Sequence, residues 1–140
     1  MKSVRKVEYK NLSLLCVAIL TSLSLLGQVK RVADSSCDFS KSKLNATSLF
    51  SDSLSSSFKI CIDDEVKSHY HQHHTEHVYV LSGKGEMVLG DSLFTIEPGQ
   101  LIFIPATTIH SVKKTSIEPL EVISIQSPRF DGTDRIFVPK

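Results

Sequence analysis

An all-β fold, a sandwich or small barrel, is what the sequence predicts, and three observations predict it. From residue 57 onward, short runs alternate apolar and polar residues with the period of a strand. Turn-forming pairs, Gly90-Asp91 and Pro98-Gly99, punctuate those runs at close spacing. Beyond the N-terminal segment no stretch carries a helical period.

Each element has its own justification. Residues 57–62 (SFKICI) place Phe58, Ile60 and Ile62 on one face and Lys59 and Cys61 on the other. Residues 66–71 form a second strand and 77–82 (HVYVLS) a third. Residues 84–89 and 92–97 flank Gly90-Asp91, which suits a tight hairpin because glycine accepts positive φ. Pro98 then fixes φ, and Gly99 supplies the left-handed position of a turn. Residues 100–104 (QLIFI) are apolar enough for a buried strand, 109–113 form another, and 120–125 (LEVISI) alternate again. At least seven short strands without helices indicate a sandwich or barrel. The tail, 128–140, carries Phe130, Ile136, Phe137 and Val138 among mixed charges and is expected to lie across the barrel.

A chain of 140 residues holds one domain and an extension. Residues 1–33 read as a signal peptide or membrane anchor, because Lys2, Arg5, Lys6 and Lys10 precede the apolar run 12–27 (LSLLCVAILTSLSLLG). That run is slightly short for a membrane span, so a cleaved signal is favoured over an uncleaved anchor. Residues 34–56 form a Ser-rich tether with room for an edge strand near its end, and 57–140 the folded domain. Export, to a periplasmic or extracellular location, or membrane anchoring facing outward, is the corresponding localisation. Residues 1–33 hold six of the sixteen Lys/Arg and one of the fifteen acids, so the remainder is net negative and a nucleic-acid partner is not expected. The membrane is a partner only through an uncleaved N-terminal segment. Cys16 lies inside that segment, which leaves Cys37 and Cys61 either as a disulfide in an exported chain or as two free thiols.

The chemistry concentrates in residues 69–83, HYHQHHTEHVYVLSG, which hold five of the six histidines. On a strand, His69 and His71 project to one face while Tyr70 points away. A four-residue turn then allows Glu76 to open the return strand opposite them, and His110 can arrive from a further strand. Three imidazoles and a carboxylate suit one divalent transition metal ion, Fe, Mn, Ni, Cu or Zn, with positions left for water or substrate. His73 and His74 are expected to be exposed in the turn. His77 is expected to face outward or into the second sheet, where a supporting or proton-transfer role is open to it. Gly83-Lys84-Gly85 is a turn and not a phosphate cradle, since no helix follows it. No Ser-His-Asp or Cys-His nucleophile is discernible, and no catalytic residue is assigned.

These residues resemble the cupin superfamily, specifically small single-domain cupins, over roughly residues 58–127. His69, His71, Glu76 and Gly83 match the first cupin motif in spacing, and Gly99, Pro105 and His110 match the second. Asp63, Thr107 and Lys114 depart from it, standing where the motifs have glycine, glycine and asparagine. The resemblance implies a cupin-type β-barrel, or jelly roll, with His69, His71, Glu76 and His110 as metal ligands, and it is compatible with a homodimer. It also implies a small-molecule substrate or ligand. Local similarity to small cupins of the mannose-6-phosphate isomerase-like kind points to a sugar or an organic acid. The leading expectation is a small metal-dependent enzyme of dioxygenase or isomerase type. The alternative is an exported non-catalytic module that binds or senses a metal or carbohydrate, and a purely structural domain is the third reading.

Overall fold

The computed structural model describes residues 28–32 and 35–139, and the segment from Arg31 to Lys140 forms one compact unit. The expected signal or anchor run, 12–27, lies outside the described residues. Among those described, no helix is long and apolar enough to cross a membrane.

Ten strands follow in order: β1 (Leu44–Ser51), β2 (Ser56–Ile62), β3 (Glu65–Tyr70), β4 (Thr75–Ser82), β5 (Gly85–Leu89), β6 (Ser92–Ile96), β7 (Leu101–Ile104), β8 (His110–Lys114), β9 (Leu120–Ser127) and β10 (Ile136–Phe137). They form two five-stranded antiparallel sheets, ordered β1-β2-β9-β4-β7 and β10-β3-β8-β5-β6. This is an all-β jelly roll. Eight of them, β2 to β9, coincide with the runs expected to be strands. β1 comes from inside the serine-rich stretch and pairs with β2, from Leu44 opposite Ile62 to Ser51 opposite Ser56. The folded unit therefore takes in residues well before 57.

The core lies between the sheets, built from Ile62, Val78, Val80, Met87, Ile96, Ile102, Ile104, Leu120 and Val122. Leu120 and Val80 are fully buried, and each such side chain stabilises the fold by about 1.5–3 kcal/mol relative to exposure. The inward positions change character along the strands. On β4 they run Val80, Val78, Glu76, and on β9 Leu120, Val122, Ser124, Gln126, with Val80 opposite Val122 and Glu76 opposite Gln126. In the other sheet Val66 pairs with Val112 and His69 with His110. Both sheets thus present hydrocarbon at one end of the interior and polar groups at the other.

Cys37 and Cys61 are joined in a disulfide, with Cα atoms 5.7 Å apart across a separation of 24 residues. A closed loop of that length contributes ~3 kcal/mol in the chain-entropy model. The bridge draws the segment before β1 over the outer face of β2, where Lys59 Nζ donates to the Ser35 carbonyl at 2.6 Å and pairs with Glu121 at 2.9 Å. That cover explains why Lys59, an outward strand position, is only 4% exposed.

Two backbone positions carry opposite lessons. Gly83 has φ +74°, and a Cβ there would press on the Pro119 carbonyl and lie 2.8 Å from Leu120 Cα. Thr107, at a position where the cupin motif has glycine, has φ +65° despite its branched side chain, a conformation that costs about 1–3 kcal/mol. Urea denaturation is therefore expected to show Gly83→Ala losing more than about 2 kcal/mol and Thr107→Gly gaining about 1 kcal/mol. A Thr107→Gly variant less stable than the parent contradicts the strain assigned to that turn.

Candidate metal centre

The polar end of the interior is assembled by three features of the chain. β3 and β8 pair His69 with His110. Immediately after β3 the chain turns through residues 71–74, and His71 remains buried beside His69. β4 then returns with Glu76 facing in. His69, His71 and His110 come together with one nitrogen from each lying within 4.8 Å of the others, a cluster that could hold a metal ion.

The hydrogen bonds fix how the rings are turned. His69 Nδ1 donates to the Lys67 carbonyl at 2.8 Å, His110 Nδ1 to the Thr108 carbonyl at 2.9 Å, and His71 Nδ1 to the Asp134 carbonyl at 2.5 Å. A ring that spends its proton on Nδ1 offers a lone pair at Nε2. The Nε2 atoms of His71 and His110 are buried and have no hydrogen-bond partner. Glu76 Oε2 lies 3.6 Å from the first and 3.5 Å from the second. Its other oxygen, Oε1, accepts from Ser124 Oγ and from Gln126 Nε2 at 3.3 Å.

The electrostatics follow from that packing. Burial alone raises the pKa of Glu76, but the facing His110 and His71 rings and the hydrogen bond from Ser124 outweigh it and hold the carboxyl well below its usual range. Burial, followed by the neighbouring His110, pushes His69 down to about 4. Burial also acts to lower His71, yet the Glu76 carboxylate and the Asp134 carbonyl prevail and raise it. An ionised carboxylate beside buried imidazoles is a donor set matched to a cation.

All four residues expected around the ion, His69, His71, Glu76 and His110, meet at one place. His73 is exposed, and His77 faces outward, its ring centroid 5.0 Å from that of Phe103. His74 departs from expectation: it is buried, not exposed in the turn. The reason is the segment after β9, which folds back over the histidine turn. His74 Nδ1 pairs with Asp134 Oδ2, its Nε2 donates to the Arg129 carbonyl at 3.1 Å, and its ring packs edge-on against Phe130. Asp134 also accepts the backbone N–H groups of Gln72 and His73, both at 2.9 Å. One residue thus fastens the turn through its carboxylate and orients His71 through its carbonyl. Sequence reasoning passed over Asp134, Ser124 and Gln126. The last two left a readable signal, since they continue the inward face of β9 with polar side chains where Leu120 and Val122 are apolar.

Two of the departures from the cupin motifs face each other. Asp63 pairs with Lys114 at 3.4 Å and with Lys43 at 2.5 Å, at the end of the barrel where β2 turns into β3.

The family model for the cupin domain matches residues 61–126. These residues form a cupin domain. A mannose-1-phosphate guanylyltransferase of Salmonella muenchen is 41% identical over 66 residues, which are 47% of this chain and 14% of the enzyme. The alginate biosynthesis protein AlgA of Pseudomonas fluorescens is 33% identical over 66 residues, again 47% of this chain and 14% of the relative. The similarity therefore spans about one seventh of those relatives' length. Among solved structures, an uncharacterized double-stranded β-helix protein of Klebsiella pneumoniae superposes with a TM-score of 0.69 at 18% identity, covering 82% of this chain and all of that one. KdgF of a Halomonas species gives 0.67 at 19%, covering 76% and 97%. A Streptomyces nucleoside dehydratase with bound uridine gives 0.64 at 18%, covering 81% and 92%. At these identities the structural likeness speaks for the cupin fold alone.

The Asp134 arrangement makes a testable statement about acid stability. Burial works to raise Asp134, but His74 and the two backbone N–H groups hold it down at about 2. A carboxylate depressed by folding contributes stability above its unfolded value, near 3.9, and that contribution is lost as the pH falls toward the folded value. Asp134→Asn is therefore expected to be less stable than the parent at pH 6, with the gap closing between about pH 4 and 2. Denaturation midpoints measured across that range check it, and a gap independent of pH contradicts the assignment.

Proposed function

We propose that this cupin domain is a metal site in which His69, His71 and His110, through Nε2, and Glu76, through Oε2, hold one divalent transition metal ion. The observation that carries the reading is the pair of buried, unpartnered Nε2 atoms of His71 and His110, turned toward an ionised carboxylate while their Nδ1 atoms are anchored on backbone carbonyls. Leaving two buried acceptors unmet costs about 1–3 kcal/mol each, and coordination removes that cost. Ser124 and Gln126 hold the carboxylate from behind, on the oxygen not turned to the histidines.

The reaction class we favour is that of a small metal-dependent enzyme acting on a small oxygenated substrate, a sugar or an organic acid, of dioxygenase or isomerase type. A bound ion would supply Lewis-acid or oxygen-activating chemistry. The protein's part is to orient that substrate, exclude water with the apolar walls, and fix the imidazole tautomers. The cavity between the sheets is about 70 Å³, room for only a few waters, so the part of a ligand that enters it has few heavy atoms. The names of the curated relatives, which concern mannose 1-phosphate and alginate, support carbohydrate chemistry.

A second reading, an exported module that binds or senses without turnover, is favoured by one observation. Apart from the four residues assigned above, the described cavity lining offers Arg135 and Ser111 as its polar side chains, and neither is an ordinary proton-transfer group. Export itself is part of the proposal in both readings. It is supported by the Cys37–Cys61 bridge, because disulfides persist in oxidising compartments.

Elemental analysis after metal loading is expected to give one ion per chain, and His110→Ala and Glu76→Ala are expected to lower affinity by at least about tenfold. Unchanged metal content in both variants contradicts the site. Because protons compete for the raised His71, affinity is expected to fall as the pH drops through that group's pKa. Oxygen uptake or sugar isomerisation by the loaded chain distinguishes the enzyme from the binding module.

A further inference from the structure

The cavity contains one charged side chain that the proposed centre does not use. Its ionisable lining residues are His69, Glu76, His110 and Arg135, and the remainder is apolar apart from Ser111. Backbone pairing accounts for the position of Arg135. The residue before it, Asp134, gives its carbonyl to His71, and the two after it, Ile136 and Phe137, pair with Tyr70 and His69. Arg135 is therefore carried to the histidine cluster by the same segment that buries His74.

One donor of its guanidinium is unmet there. Arg135 Nε is buried without a hydrogen-bond partner. No ion pair among the described residues includes Arg135. Its Cζ lies 5.8 Å from the centroid of the Phe130 ring, a ring that itself packs edge-on against His71, and its charge works against protonation of His69 and His71. Arg135 also borders an outer pocket with Lys43, Lys67, Asp64 and Glu65, so it stands between that pocket and the interior. A guanidinium is a planar fork of five donors, suited to two parallel hydrogen bonds with an oxyanion. Leaving the buried Nε–H unmet is costly, and a ligand anion that reached Nε and a neighbouring Nη together would meet it.

We propose that Arg135 is the anion receptor of this cavity, and that the ligand is a small hydroxy or oxo acid whose carboxylate pairs with the guanidinium while its neighbouring oxygen points to the histidine cluster. The inference rests on the metal reading above and narrows its substrate class from sugars and organic acids to carboxylates. The cavity admits a group of few heavy atoms, and a planar monoanion matches a single guanidinium in charge and shape, beside a Glu76 carboxylate that disfavours a dianion.

Titration calorimetry of the manganese-loaded full chain with glycolate, glycolamide and inorganic phosphate tests this, using the parent, Arg135→Gln and Arg135→Lys. The parent is expected to bind glycolate in preference to glycolamide and phosphate. Arg135→Gln is expected to weaken glycolate at least about tenfold, Arg135→Lys to recover part of the loss, and all three to hold the same amount of metal. Equal glycolate affinity in the parent and Arg135→Gln overturns the proposal, as does phosphate binding more tightly than glycolate, or no glycolate binding by the loaded parent. A parent that takes up no metal defeats the metal reading instead. Glycolate titration of the metal-free parent and Arg135→Gln then still decides the role of Arg135, with equal binding or none counting against it. If Arg135→Gln fails to fold, judged by its denaturation midpoint, Arg135→Lys carries the comparison: at least threefold weaker glycolate binding supports the bidentate fork, and parent-like binding contradicts it.

Discussion

Three imidazoles that each give their Nδ1 proton to a backbone carbonyl impose the constraint on which this domain turns, because two of their Nε2 lone pairs are then buried with nothing to accept. Glu76 cannot relieve it. Its carboxyl is held below the usual range and has no proton to offer. Three acceptor nitrogens and an anion facing one another form an unfavourable arrangement unless a cation joins them or protons are taken up. The barrel makes the conflict persistent by seating all four groups on paired strands or in the turn directly after one.

The strands also explain why the conflict sits at one end. Inward positions on β4 and β9 pass from valine and leucine to Glu76, Ser124 and Gln126 in register, while β3 and β8 pass from Val66 and Val112 to His69 and His110. Hydrocarbon packing at one end supplies the folding energy, and the polar end is carried by that surplus. The segment after β9 then closes the polar end. Its Asp134 ties down the histidine turn and orients His71, and its Arg135 brings a positive charge to the same cavity. A single stretch of chain is therefore responsible both for the rigidity of one imidazole and for the charge balance around it.

Much of this was legible in the sequence, for particular reasons. Alternation, apolar runs and the turn pairs between them marked eight strands, whereas the close approach of Pro119 to Gly83 shows only in the structure. His69, His71, Glu76 and His110 could be singled out because ligands on strands must keep parity and turn length. Asp134 and Arg135 could not. Their partners lie some sixty residues away, in a tail whose mixed charge looks like solvated chain, and β10 is two residues long, too short to show a period. His74 was misplaced for the same reason: a histidine in a turn is exposed unless something distant covers it. The cysteine pairing was open because either reading fits the alternation, and only the spatial approach of residue 37 to β2 decides it.

X-ray absorption spectroscopy of the metal-loaded chain bears most directly on the central claim. With zinc, the account predicts a first shell of three imidazole nitrogens at about 2.0–2.1 Å and carboxylate oxygen at about 2.0–2.2 Å, with the outer-shell scattering that imidazole rings produce. A shell containing sulfur, or oxygen alone without imidazole scattering, contradicts it.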